Sequence, residues 1–146
     1  METHSHILSR AVIISEQHIL VAKALNSSNT FLPGGHVELG ESIPMCLQRE
    51  LKEELGFDTS VTNYLGAVEH QWHSGKTQHY EINHCFRVEC ANLHHKTAVR
   101  AKENHLSFHW LNFDSLASWN LQPKPLQQLV PTLESDAQST WWASTL

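Results

Sequence analysis

The strongest constraint on the chain is the stretch from Gly35 to Phe57, GHVELGESIPMCLQRELKEELGF, which sets three glutamates on one arc of a helix beside a glycine turn. Glu50, Glu53 and Glu54 stand at i, i+3 and i+4, so in a helix their side chains converge within reach of one ion. Like charges at those spacings oppose helix formation. Glu53 and Glu54 also fall in the last turn before Gly56, where the macrodipole disfavours negative charge. The segment is nevertheless punctuated as a helix: Ser42 suits the N-cap, Pro44 is tolerated in the first turn, and Gly56 supplies the stop. Ile43, Leu47, Leu51 and Leu55 recur every four residues as a stripe to be buried, with Glu54 close to its edge and Glu50 next to it. Sequences break local rules of this kind mostly at functional sites. A divalent cation would turn the repulsion into ligation and offset the cost of burying the carboxylates. Oxygen ligands point to Mg2+ or Mn2+.

With those residues in place, the segment resembles the signature of the Nudix hydrolase (MutT-like) family, G-x5-E-x7-R-E-U-x-E-E-x-G-U, where U is a bulky aliphatic or aromatic residue. Gly35, Glu41, Arg49, Glu50, Leu51, Glu53, Glu54, Gly56 and Phe57 fill every specified position without a gap. The resemblance implies an α/β fold, an α/β/α sandwich with a central mixed sheet. It implies a metal-dependent pyrophosphatase in which water cleaves the diphosphate linkage of a nucleoside diphosphate joined to another moiety X. It further implies Glu53 and Glu54 as metal ligands, Glu50 as a third ligand or the general base, and the Gly35 carbonyl as a completing ligand. Glu41 and Arg49 would pair to hold the loop against the helix, a task suited to the bidentate guanidinium. Relatives often use one more glutamate on the loop before a strand that carries a tryptophan. Glu103 occupies that kind of position, as base or ligand or as a solvated loop residue, with Glu69 and Glu81 as weaker alternatives.

Substrate identity is not legible. The downstream proline of ADP-ribose hydrolases, the tyrosine of dinucleoside polyphosphate hydrolases, the coenzyme A signature and the NADH diphosphatase pattern are all missing at their usual places. Gly34 and Gly35 allow close approach of backbone to a substrate. Trp72, Tyr80 and Phe31 are candidates for stacking on a base, with core packing as the bland alternative. Two other classes stay open: a catalytically silent Nudix-fold regulator that only binds a nucleotide, and an interaction module that uses Trp141-Trp142. The complete glutamate set argues against a pure binder.

The rest of the chain agrees with one globular domain over residues 1–146. Hydrophobic residues make up 40% and charged residues 17%, and no repeat or low-complexity run interrupts them. A net charge of −5 without basic runs argues against a nucleic-acid polymer as partner, and the small nucleotide-type substrate that the resemblance implies would need metal ions to offset repulsion between its phosphates and the acidic site. The N-terminus lacks the apolar core of a signal peptide and no run reaches membrane-spanning length, so the expected location is cytoplasmic, with no membrane partner. Cys46, Cys85 and Cys90 are odd in number and lack C-x-x-C spacing, and are read as reduced thiols. Twelve histidines are scattered without a ligand pattern. Only His36, next to the glycine pair, and His70, His73 and His79, in the segment after the motif, are candidates for a functional role.

Strands are expected over Ile7 to Ser15 and His18 to Ala24 as a hairpin, within Thr59 to His70, over Gln78 to Cys90, and over Leu106 to Leu111. In the fourth, Tyr80, Ile82, Phe86 and Val88 are expected on the core face, opposite His79, Glu81, Asn83, Arg87 and Glu89. Short helices are expected over Phe113 to Trp119 and Pro125 to Leu133. Trp141-Trp142 ends a polar tail and docks on its own domain or on a second copy in a homodimer.

Overall fold

The computed structural model describes residues 1–135 and 139–146. The chain forms strands β1 (Glu2–Val12), β2 (Ile14–Ser15), β3 (His18–Ala24) and β4 (Gly34–His36), followed by helix α1 (Ile43–Leu55). Strands β5 (Ser60–Ser74), β6 (Thr77–Glu89) and β7 (Leu106–Asn112) come next, then helix α2 (Leu126–Leu129) and strand β8 (Trp141–Ser144). Five strands form a mixed sheet in the order β4-β1-β6-β5-β8, and three form an antiparallel sheet in the order β2-β3-β7. In the mixed sheet β1 runs parallel to β6 and β5 parallel to β8, while the β1/β4 and β5/β6 pairs are antiparallel.

Alternation assigns neighbouring residues to two separate cores. Ala11, Leu20 and Phe86 pack in one with Leu47, Leu51 and Leu55 of α1. Val12, Val21 and Cys85 pack in the other with Leu126 and Val130 around α2. The sheets thus have helices on both sides, the expected α/β/α sandwich. Among the described residues no helix is long and apolar enough to cross a membrane.

Several expectations shift. The first hairpin is only Ile14–Ser15 with β3, closed by Glu16 and Gln17 at φ 41° and 63°. β1 starts earlier, at Glu2, and belongs to the other sheet, paired along its length with β6. The chain changes sheet at Ile13, whose carbonyl accepts from the Leu20 amide at 3.0 Å. On β6, Glu81 and Asn83 are buried as well as Phe86 and Val88, because this central strand is covered on both faces. Phe113 to Trp119 yields only a 3-10 turn over Phe113–Ser115. The last expected helix tightens after Leu129 into a 3-10 turn, Val130–Glu134, where Pro131 has no amide to continue an α-helix. The tail docks on its own domain, with β8 alongside β5 and Trp141 buried, while Trp142 is exposed. Residues 136–138 of the polar tail lie outside the described residues.

Candidate active site

Helix α1 is held as its sequence prescribes. The Ser42 side chain accepts from the Met45 amide at 3.2 Å, and Gly56 ends the helix in the left-handed region at φ 83°. Leu47 and Leu51 are fully buried, which leaves Glu53 half-exposed and presses Glu54 into the protein at 5% exposure. Gly34 pairs with Arg10 of β1, and its backbone lies close enough to the Glu54 carboxyl to lower the pKa of that group against the effect of burial. A side chain at Gly34, φ 142°, would collide with the Ser9 carbonyl. Next to it, a Cβ on Gly35 would lie within 2.6 Å of both Glu50 carboxylate oxygens, so the Glu50 carboxylate rests against bare backbone.

Arg49 organises the charges around this backbone. Its Nη2 donates to Glu41 Oε1 at 2.7 Å and its Nε to Glu41 Oε2 at 3.0 Å. Nη1 reaches Glu50 Oε1 at 3.0 Å and both Glu53 oxygens at 3.4 Å, and Nη2 also meets the His36 carbonyl at 3.2 Å. The guanidinium hydrogen bonds hold the Glu41 carboxyl down at about 2, and the Glu41 carboxylate in turn raises Arg49.

Glu54 is the exception. Its Oε2 is buried without a hydrogen-bond partner among the described residues. Burial, then repulsion from Glu50, pushes its carboxyl up to about 8 against the pull of Arg10. Burial raises Glu50 as well, opposed by Arg49. Glu103 lies on the loop before β7, whose Lys102 amide donates to the Glu54 carbonyl at 2.8 Å. From there its charge adds to the repulsion on both Glu50 and Glu54. A half-exposed Glu103 carboxylate also stands 3.5 Å from His105 Nε2.

The structure therefore brings Gly34, Gly35, Glu50, Glu53, Glu54 and Glu103 around one end of α1, with Glu41 and Arg49 bracing it. Among the described residues no three His, Cys, Asp or Glu side chains form a ready-made metal cage. Glu50 and Glu53 are instead drawn to Arg49. The donor set still fits a hard divalent cation: it is all oxygen, it is held against a glycine backbone, and one buried carboxylate oxygen has no partner.

A cavity of about 520 Å³ opens on the other face of β1, lined by Phe31, Trp72, Arg10, Glu81, Asn29 and Asn120 among others. Trp72 thus faces it, donating from Nε1 to Glu81 Oε2 at 3.1 Å. Tyr80 points to the opposite side of β6, where its hydroxyl bonds to Glu69. Of the histidines singled out from sequence, His70 lines the cavity. His36 and His79 flank His6 in a chain of ring nitrogens 2.9 Å apart, and Trp72 stacks on His79 at 3.9 Å. His73 is exposed on β5. Arg10, Asn83 and the amides of the Asn120 loop were not candidates from sequence. The one available signal was an arginine inside an otherwise apolar strand, LSRAVII.

Arg10 is held in the cavity wall from two sides. Its Nε donates to Asn83 Oδ1 at 3.2 Å and its Nη1 to the Leu32 carbonyl at 3.1 Å. Burial lowers its pKa, opposed by Glu81 and Glu54.

The model of the NUDIX domain matches residues 5–132. The curated Bacillus subtilis protein named "Putative ADP-ribose pyrophosphatase YjhB" is 28% identical over 99 residues, 68% of this chain and 47% of that protein. The chain spans about half the length of the curated relative it matches. Among solved structures, the E. coli ORF135 protein superposes with a TM-score of 0.63 at 24% identity, covering 90% of each chain. A UDP-X diphosphatase superposes with a TM-score of 0.66 at 18% identity, covering 96% of this chain and 67% of the other. At these identities the superpositions speak for the fold.

Proposed function

The chain belongs to the NUDIX domain family, and from that premise we propose that it is a divalent-metal-dependent hydrolase of the diphosphate linkage in a nucleoside diphosphate joined to a second group. One observation carries the reading: a buried Glu54 oxygen without a partner, in a carboxyl pushed up to about 8 on a helix that also carries Glu50 and Glu53. Such an arrangement is costly unless a cation completes it. The complete glutamate set also disfavours a silent binder, which would not need these charges. The relatives named for ADP-ribose and UDP-X agree with a substrate of this class.

Glu50, Glu53, Glu54 and the Gly35 carbonyl would hold Mg2+ or Mn2+. When bound, the ion neutralises phosphate charge and makes water a stronger acid. The rest falls to the protein. Arg49 fixes the direction of the Glu50 carboxylate, and its grip on Glu41 keeps the loop against α1. Glu103, on a separate loop, is placed in this reading to accept the proton of the attacking water at a carboxylate oxygen. Phe31 and Trp72 provide apolar walls for a flat group in the cavity that Arg10 also lines.

The test is turnover of nucleoside diphosphate sugars, dinucleoside polyphosphates, ADP-ribose and nucleoside triphosphates with Mg2+ or Mn2+, with products identified to locate the cleaved bond. The wild type should hydrolyse at least one class, and Glu53→Gln and Glu54→Gln should each lose activity by orders of magnitude while remaining folded. Turnover of none of these compounds, or undiminished turnover by both variants, sinks the reading.

A further inference from the structure

One cationic donor in the cavity is left without a protein partner among the described residues. The Glu81 carboxylate is already engaged, taking Asn83 Nδ2 at 3.0 Å on one oxygen and Trp72 Nε1 at 3.1 Å on the other. Asn29 bonds the Ser27 hydroxyl at 2.6 Å and Asn120 bonds the Gln122 amide at 2.7 Å. The free donor belongs to Arg10. Its Nε and Nη1 are held by Asn83 and the Leu32 carbonyl, and its guanidinium lies 5.5 Å from the centre of the Phe31 ring. Nη2 has no protein hydrogen bond among the described residues, in a side chain that lines the cavity.

We infer that the cavity selects for a nucleobase that turns an exocyclic carbonyl oxygen toward Arg10, guanine or uracil over adenine, and that Arg10 is the specificity-determining residue. The inference rests on the nucleotide-hydrolase reading above and names the class of base that site would take. A flat ring between Phe31 and Trp72 brings its edge toward the floor formed by β1 and β6. There an exocyclic oxygen gives Arg10 Nη2 an acceptor, whereas the amino group of adenine opposes a donor with a donor. A partly buried cationic donor left without an acceptor costs far more than a missing apolar contact. Such a site therefore rejects the wrong base strongly rather than merely binding the right one well.

The experiment has a binding arm and a turnover arm. Calorimetric titration with GMP, UMP and AMP, without metal, reads the cavity independently of catalysis. Turnover of GDP-, UDP- and ADP-glucose and of GTP, UTP and ATP reads the same preference in kcat/KM. GMP and UMP should bind at least tenfold more tightly than AMP, and Arg10→Gln should bring the ratio close to one. Arg10→Lys should restore part of it. Melting curves of Arg10→Gln and Arg10→Lys should show that both remain folded. A purely structural role for Arg10 would instead lower affinity for all three bases alike. Equal affinities in the wild type, no binding of any of the three, or a ratio unchanged in folded Arg10→Gln overturns the inference. Base-selective binding without turnover of any compound overturns the hydrolase reading and leaves the selectivity standing.

Discussion

Arg49 grips Glu41 through two hydrogen bonds of 2.7 and 3.0 Å across the turn that precedes α1, and the same guanidinium reaches Glu50 at 3.0 Å. One side chain therefore sets both the position of the loop and the direction of a site carboxylate. Arg49→Lys keeps the charge and loses the fork, so it should lower both the melting temperature and turnover. The Glu41 carboxyl, held near 2 instead of 4.5, gives stability that is fully present above pH 4.5 and is lost as pH falls through about 2. Melting curves from pH 6 to pH 2 should show that acid-side loss in the wild type and a shallower one in Glu41→Gln. Identical profiles would dissociate the pair from stability.

Glu54 should give the opposite pH dependence in metal-free protein. Its folded-state carboxyl is raised from 4.5 to about 8, so the protonated form stabilises the fold at low pH and that stability declines as pH rises through about 8. The full effect is on the order of a few kcal/mol. Glu54→Gln should flatten the decline and keep or raise the metal-free melting temperature. Mg2+ or Mn2+ should raise the melting temperature of the wild type most on the alkaline side, where the carboxylate is available, and should not move a Glu50, Glu53, Glu54 triple Gln variant. Equal shifts in both proteins would place the ion elsewhere.

Gly35→Ala tests the contact between backbone and carboxylate. The added Cβ would crowd both Glu50 oxygens to within 2.6 Å, and the carboxylate, as the end of a flexible side chain, should swing away. Stability should change little. The Mg2+ concentration for half-maximal activity should rise roughly tenfold or more, about 1.4 kcal/mol of lost ion binding. An unchanged metal requirement would show that Glu50 does not need its present position.

Glu50 and Glu103 should separate in their kinetics. Glu50 shares the helical arc with Glu53 and Glu54, so Glu50→Gln should be partly rescued by added metal. Glu103→Gln should lower the maximal rate at saturating Mg2+ and flatten the acidic limb of the pH-rate profile. The reverse pattern exchanges the roles, and an unaffected Glu103→Gln enzyme removes that residue from the site.

The helix was legible in detail because cap, stripe and stop are all local: Ser42, the leucines and Gly56 each act within a turn or two of their own position. Gly34 and Gly35 could be read as a close approach, but not what they approach, since Ser9 is brought there by pairing with β1 and the Glu50 carboxylate by the packing of α1. The cavity was largely invisible. Arg10 and Asn83 are 73 positions apart and meet only through the parallel β1/β6 register, for which a single sequence carries no signal. Tyr80 was misplaced for a related reason. Period two puts it opposite Glu81, and which face of a doubly covered strand borders the cavity is decided by the layers on either side.

The division of Ala11 and Val12 between the two cores has a consequence for what kinds of change the chain can absorb. A substitution in β1 is a local matter of volume. Inserting or deleting one residue before Arg10 would exchange the two cores' side chains along the rest of the strand, turn Arg10 away from Asn83, and shift Ser9 from its place opposite Gly35. Side chains along β1 can therefore drift while its length cannot.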